Sequence, residues 1–442
     1  MNGIPTGTPA IQIGGGGGYW DSSLLQPSTA HQVFGRFDYE ATDNIRAYVQ
    51  FAGNFKTDTN YAEYIQLNNV TFSSSNPFLA PQYQQILANA NQPTFRLSEL
   101  IGSGPRNAAQ SESDQWMIFA GLEGDAGIFN WTLHYTHGRS ELNTTLRNNR
   151  NNQRLAYALD AVQSGNQVVC PVIVTNPGLA DDCIPLNVFG PTAATDVALD
   201  YVTGDVFLNV ITVMDDVTAS VVGSPFSTWA GPVDFALSGE YRTLSFTANS
   251  TSPLNDTVDC TGIRYNCTPG TVLWEGVFFD SPKISEEVYE AALETNVPLI
   301  EDMLNVNGAV RYTNYKNSGS YWTWKIGADL SVSDTLRFRA TRSRDIRAPT
   351  LYDLFAPGNG STISPTDLLT GLTPIVRGFN GSNPDLGVEI GNTLTGGVVW
   401  TPLPELSVAL DAYHITISDA IVTVQGWNEA RTATATPLRP MR

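Results

Sequence analysis

The chain has 442 residues, of which 43 are acidic and 24 basic, for a formal net charge of −19 with only 15% charged residues overall. That balance excludes a nucleic-acid partner, because neutralising phosphates needs a clustered basic surface. No window approaches the roughly 18 uninterrupted apolar residues of a membrane-crossing helix, although strands that cross a membrane leave a weaker, alternating signal.

Residues 1–30 have neither a basic stretch nor an apolar run at their start and are read as a loop segment rather than a leader peptide. The glycine run Gly14–Gly18 lacks the Lys-Ser/Thr of a phosphate loop and is read as a flexible loop. From His31 the chain alternates, with Val33, Gly35, Phe37 and Tyr39 opposed to Arg36, Asp38 and Glu40. After Thr42, Asp43 and Asn44 a second such run sets Ile45, Ala47, Val49 and Phe51 against Arg46, Tyr48 and Gln50, so the two predict a β-hairpin. A long polar stretch follows, within which Pro81 to Asn91 predicts a short helix. Trp116–Leu122 and Phe129–Tyr135 form the next hairpin, and a second excursion holds a helical spacing over Gln153–Val162. Phe207–Val222 is apolar on both faces in places, so its register stays open, while Val233 to Tyr241 alternates cleanly against Asp234, Ser238 and Glu240. Later hairpins are read at Tyr289–Val297 with Leu304–Tyr312, at Trp322–Leu330 with Leu336–Thr341, and at Leu394–Trp400 with Leu406–Ile417.

About twelve strands result, and their connections are unequal. Every second one is tight, and most of the others are long, at 55–114, 137–205, 248–284 and 345–391. Long loops gathered at one end, with two tryptophans on the apolar face of Trp322–Leu330 and full charges on the opposite face, predict an all-β antiparallel transmembrane barrel. An open edge in hydrocarbon leaves backbone groups unpaired, so twelve strands without a closing partner are expected to be part of a larger barrel. The rival is a secreted β-rich carbohydrate-binding or carbohydrate-active protein, which requires the apolar faces to pack on each other. Of the three ways to pair Cys170, Cys183, Cys260 and Cys267, the two local pairings close the shortest loops. An even count in loops points to disulfides and an oxidising compartment.

Phe338 to Phe355, FRATRSRDIRAPTLYDLF, resembles the R-x-x-R-A-P-x-x-x-E-L-F signature of the TonB-dependent outer-membrane receptors, particularly those of sphingomonads and Caulobacter-like bacteria, with Asp353 in the usual Glu position. Asn383–Leu386 (NPDL) and the hairpin Trp400–Ile421 extend the resemblance, with weaker agreement at Cys183–Gly190 and Gly231–Arg242. The motif residues it carries over are Arg344, Arg347, Ala348, Pro349, Leu354, Phe355, Asn383, Pro384, Asp385 and Leu386. The resemblance implies a central barrel segment spanning 31–425, about twelve of an expected 22 strands, followed by an irregular tail at 426–442. It also implies a Gram-negative outer-membrane location and uptake of a scarce ligand such as an iron-siderophore, cobalamin or a glycan. Its partners would be outer-membrane lipid, a plug domain and TonB, the last two through regions not recognisable in this sequence. No enzymatic role and no cofactor are expected.

Inside the barrel, Arg311, Lys325, Arg337 and Arg339 predict a basic patch, either guiding an anionic ligand or, as hairpin register favours, salt-bridged across the wall. Turns near residue 300 and at Val332–Asp334 set Glu290 opposite Arg311 and Asp329 opposite Arg337. Arg347–Phe355 is read as a structural cap where strand meets loop, with Pro349 starting a helical turn. His134 and His137, three apart on a strand, face opposite ways and are not a metal pair. No nucleophile motif and no distinguishable carboxylate pair is present.

Overall fold

The computed structural model describes residues 4–5, 12–13, 22–62, 64–102, 104–190, 193–356, 358–363, 366, 371 and 376–423. The glycine run at 14–18 and the tail at 426–442 lie outside the described residues. One antiparallel sheet organises the rest. Its twelve strands are β1 (Ser28–Thr42), β2 (Ile45–Tyr61), β3 (Ala108–Ala126), β4 (Phe129–Arg150), β5 (Thr203–Thr228) and β6 (Gly231–Ser250), then β7 (Ser281–Ile300), β8 (Leu304–Tyr315), β9 (Gly319–Ser333), β10 (Leu336–Arg347), β11 (Glu389–Leu403) and β12 (Leu406–Ser418). Each pairs with its sequence neighbours in an unbroken meander.

The period-two pattern explains which way each face turns. On β9 the apolar set Trp322, Trp324 and Ile326 is 59%, 38% and 54% exposed, and no second layer covers it. Phe338 and Leu410 are likewise 43% and 70% exposed, which rules out the two-sheet core of a soluble sandwich. An uncovered apolar face of this extent is stable in hydrocarbon and not in water. Where a large ring must cross the inward surface, the opposing strand supplies a glycine. The Tyr48 ring lies over Gly121, in space that a Cβ there would fill, and its hydroxyl meets His134 Nδ1 at 2.7 Å.

The sheet does not close. β1 pairs only with β2 and β12 only with β11, and every residue of both edge strands is exposed. The twelve strands therefore form an incomplete barrel.

At one end the strands turn through two or three residues, at Asp43–Asn44, Gly127–Ile128, Trp229–Ala230, Glu301–Met303, Asp334–Thr335 and Pro404–Glu405. At the other, apart from the short link 316–318, the connections are long, covering 62–107, 151–202, 251–280 and 348–388. These loops are shorter than the sequence pattern predicts because the strands run further. β5 reaches 26 residues and β4 reaches 22. Beyond the apolar belt both faces are polar, as in Thr144–Arg150, so alternation vanishes while the hydrogen-bonded ladder continues. The ambiguous register of Phe207–Val222 has a related cause: Val206 and Leu208, at the loop end of β5, are buried, so apolar residues there do not mark the lipid-facing side.

Three of the long loops fold together over that end. They contain α1 (Pro81–Asn89), α2 (Asn152–Leu159), α3 (Pro171–Thr175) and α4 (Asp196–Val202). Asn151 caps α2 by accepting from Arg154 N, and Thr195 caps α4 by accepting from Ala198 N. Phe72, Leu97, Leu159, Val172, Leu186 and Leu199 share one buried cluster, with Ile263 packed against it. Phe72 stacks on Phe95 at 5.7 Å and meets Phe189 edge-on at 5.3 Å.

Candidate functional site

The inward face of β6 to β12 bears the charges. Arg311 Nη1 lies 3.0 Å from Glu290, Arg337 Nη2 2.5 Å from Asp329, and Arg339 Nη2 2.6 Å from Asp411. The direct cross-strand partners differ from those predicted. Arg311 stands opposite Ala292, with Glu290 opposite Thr313, and Asp329 stands opposite Arg339, with Arg337 opposite Ser331. Each register is displaced by two because the turns lie further along the chain than expected, at Glu301–Met303 and Asp334–Thr335, and the one-residue bulge beside each, at Pro298/Ile300 and at Ser331/Ser333, brings the parity back. A slip of two leaves every side chain on its face, so periodicity cannot detect it. The ion pairs that form are diagonal, and Thr313 Oγ1 donates to Glu290 at 2.9 Å. The partnership of Arg339 with Asp411 was not foreseen, although Asp411 alternates onto the polar face of β12.

Among the described residues Lys325 has no carboxylate partner. It lines an inward pocket of about 320 Å³ together with Glu290, Glu294, Arg311, Thr323 and Asp345. Such a wall sets the Lys325 ammonium and the Arg311–Glu290 pair beside hydroxyls and the Glu294 and Asp345 carboxylates, a mixed polar surface suited to reversible contact. His134 and His137 point to opposite faces, the first toward Tyr48 and the second 2.8 Å from Asp215. Among the described residues no group of three or more His, Cys, Asp or Glu is placed to hold a metal ion.

The signature residues assemble at the outer end of β10. Arg347 forms a bidentate pair with Glu389, its Nη2 2.8 Å from Oε1. α5 (Leu351–Phe355) follows, and its cap is Thr350 rather than Pro349: Thr350 Oγ1 accepts from Asp353 N at 3.1 Å while Asp353 Oδ2 accepts from Thr350 N at 2.9 Å. This reciprocal box requires a carboxylate at position 353, which Asp supplies as Glu would. Leu351 and Leu354 are buried. The NPDL segment joins this cap, because Asn383 N donates to Asp353 O at 3.0 Å and Asn383 Oδ1 accepts from Asp385 N at 2.9 Å. Arg344, by contrast, faces outward beside Trp324 and takes no part in the cap.

Two disulfides brace the loop assembly, Cys170–Cys183 and Cys260–Cys267. Cys170 and Cys183 lie in the connection 151–202, yet both are buried in the shared cluster, 0% and 6% exposed. Further ties cross between loops. Asn266 accepts from Thr71 N and donates to Thr71 O at 2.8 and 2.9 Å, and Tyr157 Oη donates to Thr261 O at 2.8 Å. Burial, reinforced by the nearby Asp182 charge, pushes the Tyr201 phenol up to about 12. The hydroxyl and backbone N–H of Thr261 hold the Asp259 carboxyl below its usual range, while burial raises Glu99. No pattern in the sequence marks these inter-loop contacts, since their partners are far apart in the chain.

A single meander with a bare apolar outer face, a charged inner face, tight turns at one end and packed loops at the other defines a transmembrane β-barrel wall of the bacterial outer-membrane type. The family model described as TonB dependent receptor-like, beta-barrel, matches residues 83–434, and the chain belongs to that family. It is therefore located in the outer membrane of a Gram-negative bacterium. Among solved structures, the siderophore receptor PirA from Acinetobacter baumannii is similar at 14% identity and a TM-score of 0.49, over 89% of this chain and 44% of that one. The ferric enterobactin receptor PfeA from Pseudomonas aeruginosa is similar at 12% identity and a TM-score of 0.46, over 89% and 43%. The RagAB peptide transporter is similar at 12% identity and a TM-score of 0.45, over 91% and 42%. The chain thus spans less than half the length of each, and likeness at this level adds nothing to the family assignment. No curated protein matches the chain.

Proposed function

We propose that this chain supplies barrel wall and external loops to a non-enzymatic receptor that captures a scarce ligand, an iron-siderophore, cobalamin or a glycan, and passes it through a lumen opened when TonB moves a plug domain. The observation that carries the reading is the external assembly. Three loops share one buried cluster, are braced by two disulfides, and stand at the end of the sheet where the inward face presents charge. A pre-ordered surface of that kind binds without first losing loop entropy. Within the wall, the ion pairs of Arg311, Arg337 and Arg339 serve the fold, while Lys325, without an ion-pair partner among the described residues, faces a passing anionic group. The signature residues from Arg347 to Leu386 serve as the strand-to-loop cap. The residue-level division retains a loop segment at 1–30, the barrel portion at 31–425 and a tail at 426–442.

The test is uptake. Deleting the gene and supplying iron-siderophores, cobalamin and glycans singly should abolish growth on one of them, and the intact gene should restore it. Restoration by a variant lacking residues 62–107 and 151–202 would overturn the loop-capture reading, and unchanged growth on every ligand would overturn the uptake role.

A further inference from the structure

The sheet holds twelve arginines, and ten of them pair with a carboxylate: Arg36, Arg46, Arg139, Arg147, Arg150, Arg242, Arg311, Arg337, Arg339 and Arg347. Arg342 and Arg344 have no carboxylate partner among the described residues. Their register places them on the outward, lipid-facing surface, where Arg342 stands between Ile326 and Leu394 and Arg344 between Trp324 and Asn392. None of these neighbours is acidic, so the two cations share one side of β10 with no counter-charge from the protein. The Nε of Arg344 is moreover buried without a hydrogen-bond partner. Next along the outward surface, His414 stands opposite Leu394 and Thr416 opposite Asn392, adding polar groups to the same patch.

Height across the membrane decides what meets them. Arg342 and Arg344 lie on the loop side of the turn at Asp334–Thr335, roughly 20 Å above it at a strand rise of about 3.3 Å and a tilt of about 40°. An apolar belt about 25 Å tall therefore ends near them, and aromatic residues mark that border. Trp324 and Trp322 occupy it on the adjoining strand, the latter against Tyr312 at 5.1 Å. Bare guanidinium groups at that level are stable where an anion lies in the same layer, and paired guanidinium donors match the oxygens of a phosphate.

We infer that Arg342 and Arg344 form a site for the phosphate-bearing headgroup of an outer-leaflet lipid, with Asn392, His414 and Thr416 at its edge. The acyl chains lie below it along Ala328, Ala340, Phe338 and Val398. The site rests on the outer-membrane location and not on the uptake reading, so either can fail alone.

The receptor, isolated folded and in full from its outer membrane in mild detergent, is delipidated and titrated by native mass spectrometry with a phosphorylated outer-leaflet glycolipid and with the same lipid after phosphatase treatment. Wild type should bind the phosphorylated lipid at least about tenfold more tightly than the treated one. The R342Q/R344Q variant should lose that preference, with R342K/R344K between the two. Equal binding of both lipids by wild type overturns the site, and needs no variant to fold. Undiminished preference in a folded R342Q/R344Q protein overturns the assignment to these residues. Displacement of the lipid by millimolar inorganic phosphate overturns the lipid as its source. Ligand uptake that persists in R342Q/R344Q leaves the receptor reading standing, whichever way the lipid result falls.

Discussion

Arg264 donates from Nε and Nη2 to the two carboxylate oxygens of Asp160 at 2.7 and 2.6 Å, joining loops 104 residues apart in sequence. The Asp160 side chain is only 7% exposed, whereas that of Arg264 is 45% exposed. The pair is therefore a clamp whose anion sits inside and whose cation lies across it from outside. Removing the cation alone strands a buried carboxylate, which costs more than removing both. Arg264→Ala should destabilise the loop assembly by about 2 kcal/mol, and Asp160→Asn combined with Arg264→Ala by less. Limited proteolysis across residues 251–280 reads this, and a double variant that is cleaved faster than the single one would contradict it.

The two disulfides should contribute unequally. Cys170–Cys183 has a sequence separation of 13 and lies in the buried cluster, while Cys260–Cys267 has a separation of 7 and lies nearer the surface. Closing the longer loop restricts the unfolded chain more, and typical effects are about 2–4 kcal/mol. Loss of the first pair through C170A/C183A also removes core packing. Its thermal midpoint for loop opening, followed by protease sensitivity, should fall further than that of C260A/C267A.

The capping box sets a rule for position 353. Asp353→Glu should be tolerated because the carboxylate still reaches the Thr350 N–H, whereas Asp353→Ala should cost about 1 kcal/mol locally. Hydrogen exchange of the Thr350 and Asp353 amides distinguishes them: both should stay protected in the Glu variant and become unprotected in the Ala variant.

Alkaline pH should loosen the loop assembly through Tyr201. Its phenol is held neutral up to about 12 in the folded chain, while an exposed tyrosine ionises near 10. The folded form thus binds the proton more tightly, so this contribution is complete below about pH 10 and is lost as pH rises toward 12. The difference between the ultraviolet phenolate titrations of wild type and Y201F should show one tyrosine ionising near pH 12. One ionising near pH 10 would refute the burial.

The two faces should respond oppositely to charge. Leu237 is 57% exposed on the outer face, and Leu237→Arg should impair folding into bilayers by about 2–4 kcal/mol if it lies near the midplane. Thr341→Arg, on the inward face between Gly327 and Thr395, should leave bilayer folding nearly unchanged. Heat-modifiable migration after refolding into vesicles measures both.

Some of this is legible in the sequence itself. A strand presents alternate residues to opposite sides, so Trp322, Trp324 and Ile326 against Lys325 and Asp329 already fixed which face turns to lipid. Turn chemistry at Asp43–Asn44 and Asp334 marked the tight end, and the FRATRSRDIRAPTLYDLF stretch marked the family. The same parity, carried past Ala340, puts Arg342 and Arg344 on the apolar side. What alternation cannot report is distance along the partner strand. A later turn offset by a one-residue bulge slides a pairing by two, which changes which charges meet and leaves every face as it was, so Arg339 with Asp411 and the diagonal pairs of Arg311 and Arg337 are visible only in the assembled sheet. The loop assembly is a stronger case. Thr71 with Asn266, Asp160 with Arg264 and the burial of Cys170 join segments whose local sequence is merely polar, and their contacts depend on where the long strands deliver each loop. Sequence determined the sides of the ribbon because that is a property of neighbouring residues, while tertiary structure decided the partners because pairing depends on registers summed across many strands.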